Sequence, residues 1–342
     1  PLLFGITHTA TTLMSMTRYE EGWEKAQEAR QLAERLGNRK YLAEVLTQPY
    51  VDYHVSQGDL GAARQSAEEG LEIATPIGAS VAEFQGHLQL ALLARWQGAY
   101  EEALAHLNHL DRSSHTFPAP GFRLLPLALL SGVTLEISEE LLKRSLAYQA
   151  EALKILDSGA PFGFGSLAWQ ELALCKLASG DLDLADDYLQ KGLSARDSFM
   201  YFVRPPLLVG QALLALARGQ LAEAEARIAG ARSFVDERGT QTYTPLIALA
   251  DGRISAAAGK SAYALEQFAV AESLAQEMGM LPIAWEAQAA AAWVLDADGR
   301  SAEAEEQRRG ALALIDEIAA TMADDTLRAT FLRSARGKVA EG

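Results

Sequence analysis

Six histidines, His8, His54, His87, His106, His109 and His115, all stand within the first 115 residues of the chain. His106 and His109 fall at i and i+3, neighbours on one helical face, where two imidazoles could offer nitrogens to a metal ion. With no carboxylate or cysteine read at matching spacing, they are expected to be a half-exposed surface pair, and no metal site is assigned. The carboxylate pairs Glu20-Glu21, Glu68-Glu69, Asp186-Asp187 and Glu305-Glu306 fall on outward faces of helices, where solvated charge is the expectation. No Gly-x-x-x-x-Gly-Lys-Ser/Thr phosphate loop occurs; the run Ala160–Gly165 has glycines without the following lysine. Nor is there a Gly-x-Ser-x-Gly nucleophile elbow. Without convergent titratable groups the chain reads as non-enzymatic, with no cofactor.

Charge and cysteine usage narrow the partners. Thirty Lys+Arg against 45 Asp+Glu give a formal charge of −15, which repels phosphate backbones and argues against direct nucleic-acid binding. The single cysteine, Cys175, excludes an internal disulfide framework and a zinc cluster, and on an apolar face it reads as a small buried hydrophobe. No apolar run reaches the ~18 residues a membrane span needs, and no basic-then-apolar leader is present. The chain starts at Pro1 inside what reads as a helix, so it is expected to be an excised piece of a longer cytoplasmic protein.

The elements that must position any site are helical hairpins. In Ala173–Leu193 an apolar helix runs into Ser179-Gly180-Asp181 and restarts as an amphipathic one. Gly180 accepts a left-handed backbone, and Asp181 can cap the second helix. Gly58, Gly98, Gly180, Gly219, Gly259 and Gly299 repeat this point at separations of 40, 82, 39, 40 and 40, so one member near Glu139 has lost its glycine. A period of about 40 marks a solenoid of stacked helix pairs, which can form one domain at this length because its core grows linearly.

The expected architecture is all-α: about eight antiparallel pairs over 1–342, with repeats near 1–40, 41–80, 81–120, 121–160, 161–203, 204–243, 244–281 and 282–321. A polar capping helix completes the chain at 322–342. Pro49 is expected to kink the first helix of repeat two. Second helices carry small residues three positions after an apolar one, as in Leu60/Ala63, Tyr100/Ala103, Leu182/Ala185 and Leu221/Ala224. Another small or apolar residue comes seven later, as at Gly70, Leu110, Gly192, Ala231 and Ala311. Small side chains let helices approach closely.

Trp169, Leu172-Ala173, Gly180-Asp181-Leu182 and Ala185 resemble the tetratricopeptide-repeat signature, as do Gly98, Tyr100 and Glu101-Glu102-Ala103. The longer period and the ending Met322-Ala-Asp-Asp-Thr-Leu-Arg-Ala-Thr-Phe-Leu are similar to the MalT-like branch. There such superhelices form the sensor region of bacterial signal-transduction ATPases and large LuxR-type regulators. The resemblance covers nearly the whole chain and specifies fold better than function. It implies an effector ATPase or DNA-binding module elsewhere in a longer protein. It also implies that first helices line a concave groove.

Counting back from the turn glycines, that groove would include Gln48, Asp52, Val55, Gln85, Leu88, Leu92, Arg95 and Trp96. Further along it would include Leu167, Gln170, Leu174, Val209, Leu213, Leu249, Arg253 and Trp293. The inter-repeat loops would gather Phe117, Phe122, Phe162, Phe164, Tyr201, Phe202 and Tyr243, with Arg123 and Arg204, along one edge. Aromatic and arginine side chains are enriched at binding hot spots, but large rings also staple helices together, and groove residues can simply fill a tightly wound superhelix. Expected ligand contacts are Arg95, Trp96, Arg123, Phe162, Phe164, Trp169, Gln170, Tyr201, Arg204, Tyr243 and Arg253. A small molecule, peptide or protein partner would lie in the groove. Three functions stay open: a ligand or partner sensor, a constitutive protein–protein scaffold, and a peptide-pheromone receptor. A sensor predicts an enclosed pocket, a scaffold an open channel, and a peptide receptor a row of amides such as Gln48, Gln85 and Gln170.

Overall fold

A computed structural model describes residues 2–114, 117, 121–159, 165–195 and 203–341, and it is helical throughout those residues, with no strand among them. Eight hairpins succeed one another: α1 (Leu2–Ser15) with α2 (Tyr19–Arg35), α3 (Arg39–Val45) and α4 (Val51–Ser56) with α5 (Leu60–Ile77), and α6 (Ser80–Gln97) with α7 (Tyr100–Ser113). Next come α8 (Gly121–Ile137) with α9 (Leu142–Asp157), α10 (Gly165–Ala178) with α11 (Leu182–Ser194), and α12 (Arg204–Ala217) with α13 (Leu221–Arg238). The last pairs are α14 (Thr244–Ala257) with α15 (Ser261–Met278) and α16 (Leu281–Ala297) with α17 (Ser301–Ala320), and the chain closes with α18 (Asp325–Glu341). The first helices pack on one another around the inside, α8 on α10, α10 on α12, α12 on α14 and α14 on α16.

Turn chemistry explains the period. At Gly98 the backbone turns left-handed (φ 81°), and the Ala99 N–H reaches back to the Ala94 carbonyl at 2.8 Å, closing a Schellman motif. Asp59 then caps α5 and Asp181 caps α11, each accepting from the backbone N–H three residues on. Two departures fit the same logic. Where repeat one has no glycine, Thr17 itself takes φ 54°. Where repeat four lost it, Ser138 is extended, and its hydroxyl accepts from Glu140 N–H to start a 3₁₀ turn, Glu139–Leu141. A second glycine series of the same period, Gly37, Gly78, Gly159, Gly239 and Gly279, ends the second helices. The expected kink at Pro49 is a π turn, Leu46–Tyr50, whose extra residue accommodates the missing proline N–H between α3 and α4.

The small residues pack as expected: Ala63, Ala103, Ala185, Ala224, Ala264 and Ala304 are wholly buried. A methyl group at Gly192 would lie 2.8 Å from Leu207, so α11 and α12 approach at glycine distance.

The superhelix is wound so tightly that its successive turns touch, joining residues 187 to 223 apart, about five repeats. The Tyr19 hydroxyl meets Thr240 Oγ1 at 2.9 Å, and the Thr242 hydroxyl donates to the Val55 carbonyl. Gly58 faces Met278 and Gly98 faces Ile318, each with too little room for a Cβ. The Glu101 carboxylate accepts from the N–H groups of Ala323 (2.6 Å) and Asp324 (3.1 Å), and Arg333 grips Glu140 with two bonds of 2.7 and 2.9 Å. In this seam the glycine-turn edge of repeats one to four sits on the inter-repeat edge of repeats six to eight and α18. The cap is therefore more than a polar end-piece: Phe331, Ala335 and Val339 are buried, with Phe331 against Tyr100. One apolar cluster accordingly runs from Phe84 through Leu130 and Leu172 to Ile315, Ile318 and Phe331.

Candidate inner-face binding site

At the centre of the inner face lies a buried ion triad. Arg95, at the end of α6, donates through Nη1 to Glu171 Oε2 on α10 (2.9 Å). Through Nη2 and Nε it donates to Glu136 Oε1 on α8 (2.6 and 3.0 Å). Glu171 is 3 % exposed at its side chain and Glu136 39 %, so Arg95 spans from the interior to the surface and ties three repeats together. Gly132 makes the room: a Cβ there would collide with the Glu171 carboxylate and crowd Arg95. Burial raises the Glu171 carboxyl above its usual range, with Arg95 pulling against that shift. Beside it, Gln170 is buried, donates from Nε2 to Glu171 Oε1 (3.3 Å), and keeps an Oε1 with no hydrogen-bond partner among the described residues.

The triad continues toward the seam. Trp96 lies edge-on to Tyr243 (centroids 6.3 Å apart), joining repeat three to repeat seven. Burial pushes the Tyr243 phenol up, reinforced by Tyr19, Glu171 and Asp52. Asp52 on α4, held by Gln89 Nε2 at 3.3 Å, is raised to about 7 by burial. Tyr100 is raised by burial and by the charges of Glu136 and Glu286.

The expected ligand contacts divide into three groups. Arg95, Trp96, Gln170 and Tyr243 converge on this inner region. Arg253 pairs with Glu286 at 2.7 Å between α14 and α16. The others stand apart: Arg123 binds Asp111 (2.7 Å), Arg204 lies over the Phe234 ring, and Trp169 packs on Tyr188 of its own hairpin under Lys191. Phe162, Phe164 and Tyr201 lie outside the described residues, as does Phe202. Of the loop aromatics described, Phe117 stacks on Phe122, and both pack edge-on to Phe84. Trp293 is 48 % exposed.

Several residues of the region escape sequence reasoning. Glu136 and Glu171 are single acids in apolar helices, the one local signal that could have marked them. His87 joins the histidine pair, its Nδ1 2.8 Å from His106 Nδ1 and its ring 4.2 Å from that of His109. The expectation of no matching carboxylate is corrected: Glu102, four residues before His106, lies 3.7 Å from its Nε2 and also pairs with Arg64. Bonds from His106 and Arg64 lower Glu102 to about 2, while burial and its two neighbours lower His87 to about 4. No group of three or more His, Cys, Asp or Glu among the described residues has the geometry to hold a metal ion. Cys175 is buried 3.4 Å from Ser131 Oγ, and burial raises its thiol to about 11.

On the outer face, a cleft of about 580 Å³ opens between α13 and α15. At its floor the buried Asp251 accepts from Arg232, Tyr263 and Ser255, which closes it as a polar staple. No described helix is long and apolar enough to cross a membrane.

No protein-family model matches the sequence, and no curated protein matches it. Among solved structures, the chain is similar to a Rap protein complexed with Competence and Sporulation Factor, with 14 % identity and a TM-score of 0.59, over 99 % of this chain and 98 % of that one. Yeast Tom70 aligns over 99 % of this chain and 96 % of its own at 11 % identity, with a TM-score of only 0.27. The Rap similarity is one of fold: a tetratricopeptide-like helical-repeat solenoid.

Proposed function

We propose that this chain is a non-enzymatic sensor solenoid that takes a small molecule or short peptide on its inner face. The observation that carries the reading is the Trp96–Tyr243 contact, which places an inner-face side chain on the seam between successive superhelical turns. A ligand displacing Trp96, or competing for Arg95, would alter the packing beside Thr240 and Thr242 and so bias open and closed windings. The buried triad suits such a role, because a buried ion pair adds little net stability over an apolar filling but specifies one arrangement. The Rap structure, a similar fold complexed with a named factor, supports occupancy of such a solenoid by a ligand. In the MalT-like reading the winding would be reported to an effector ATPase or DNA-binding module of a longer cytoplasmic protein. A peptide ligand gains support from Gln170 Oε1, which has no partner among the described residues and is an acceptor suited to a backbone N–H.

Thermal unfolding against a panel of metabolites, nucleotides and short peptides tests this. A ligand at a hundred times its dissociation constant stabilises by about 2.7 kcal/mol, a shift of a few degrees. The shift is expected to vanish in Trp96→Ala and to survive in Trp293→Ala. A panel with no shift sinks the sensor reading and favours a protein–protein scaffold.

A further inference from the structure

The seam that joins the superhelical turns is half used. Its two edges spiral on past the contact, and each leaves an uncovered stretch of the same design. On the inter-repeat edge, Gly279 and Gly78 hold the same left-handed turn at equivalent register. Met278, before the first, is packed against the Gly58 turn, and Met280 is buried. The counterparts of Met278 are uncovered: Ile77 is 42 % exposed, and Leu36, at the same register one repeat earlier, is 62 % exposed. Ile77, Val81 and Lys40 line a notch of about 150 Å³ at the register where the Gly58 turn sits on Met278.

The opposite edge is uncovered in repeats five to eight. Gly180, Gly219, Gly259 and Gly299 have the turn geometry of Gly58 and Gly98, but none of the described residues stands within 4 Å of where a Cβ would be. In repeat five the charge pattern matches as well. Asp183 stands three residues after Gly180, as Glu101 stands three after Gly98, and Glu101 is the seam residue that accepts two backbone N–H groups. Asp183 is fully exposed, and Leu184 beside it is 39 % exposed. In the seam the glycine-turn edge is acidic (Glu101, Glu140) and its seat carries Arg333. The uncovered edges keep that polarity, with Asp183 on one and the exposed Arg35, Arg39 and Lys40 on the other.

We propose that two copies of this chain associate head to tail by repeating the seam between molecules. The repeat-five turn of one copy, Gly180 to Leu184, occupies the notch of the next, at Ile77 and Val81, beside the exposed Leu36 of the same edge. The two surfaces differ, so the contact is heterologous, and each dimer keeps one free edge of each kind. The occupant is a second copy because the chain exposes both halves of an interface it already makes within itself.

Sedimentation velocity of the full chain across a wide concentration range tests this. Mass is expected to rise with concentration, and less so at high salt, since the paired charges are exposed. Leu36→Glu with Ile77→Glu should be monomeric, as should Asp183→Lys with Leu184→Lys, both with unchanged circular dichroism. Mixed, the two monomeric variants should form a 1:1 dimer and nothing larger, because each retains the edge the other lacks. A wild-type chain that stays monomeric throughout overturns the proposal. So does association that survives the Asp183/Leu184 change, which would mean that like edges meet.

Discussion

Gly98 and Gly259 occupy the same point of equivalent hairpins, with φ values of 81° and 72°, yet they live in different surroundings. Gly98 is pressed against Ile318 from about five repeats away, while Gly259 faces open space. Local chemistry made both turns, and the winding of the superhelix gave one of them a second task. The inner face shows the same contrast. Arg95 is held between the buried Glu171 and the partly exposed Glu136, whereas Arg218 binds Asp183 and Asp186 on the outer surface.

The sharpest way to break the contrast is to remove each arginine. Arg95→Met should cost about 3–5 kcal/mol, because it strands the buried Glu171 carboxylate, while Arg218→Met should cost under about 1 kcal/mol. Urea unfolding of both variants checks this; equal losses would mean that the inner triad is no better buried than a surface pair.

Next come the glycines. Alanine at either position strains a left-handed backbone by about 1–2 kcal/mol. Gly98→Ala should lose roughly 1–2 kcal/mol more than Gly259→Ala, since only there does the methyl meet a packed neighbour. The excess measures the seam directly.

A third test concerns pH. Asp52 has its folded pKa raised to about 7, so the folded state binds the proton more tightly than the unfolded one. Its burial penalty is therefore absent in acid, grows as pH rises from about 4, and is complete above 7. Asp52→Asn should stabilise by up to about 4 kcal/mol at pH 8 and by almost nothing at pH 4, seen as melting curves that converge on acidification. His87 works in the opposite sense: its depressed pKa costs nothing above about 6.5, and its penalty grows as pH falls from there and is complete below about 4. The smallest effect is expected at Thr17, which holds φ 54° without glycine. Thr17→Gly should raise stability by up to about 1 kcal/mol in thermal melts, the relief of strain exceeding the added chain entropy.

How much of the molecule is legible in its sequence depends on the range of each interaction. The hairpins are readable because αL glycines, Asp caps and buried alanines act within a few residues of one another. The second glycine series, Gly37 to Gly279, is equally local but lies between repeats instead of within a hairpin. Glu102 beside His106 is an i, i+4 pair in plain view. The seam is different: nothing near Gly58 names Met278, because the contact depends on small rotations summed over five repeats. For the same reason Arg95 and Trp96 could be placed on the inner face but not matched to Glu171 and Tyr243. The aromatic loops divide likewise, with Phe117 and Phe122 engaged as packing and Phe162, Phe164 and Tyr201 lying outside the described residues.

Contact between successive superhelical turns underlies both the winding and the proposed response to a ligand. Spin labels at the exposed positions Gln57 and Gln241, with the distance between them read by pulsed electron resonance, test that contact directly. A single short distance is expected for the free chain, lengthening or splitting when an inner-face ligand binds. A broad, long distribution in the free chain would contradict the account, since the turns would then stand apart and Trp96 would have no seam to report to.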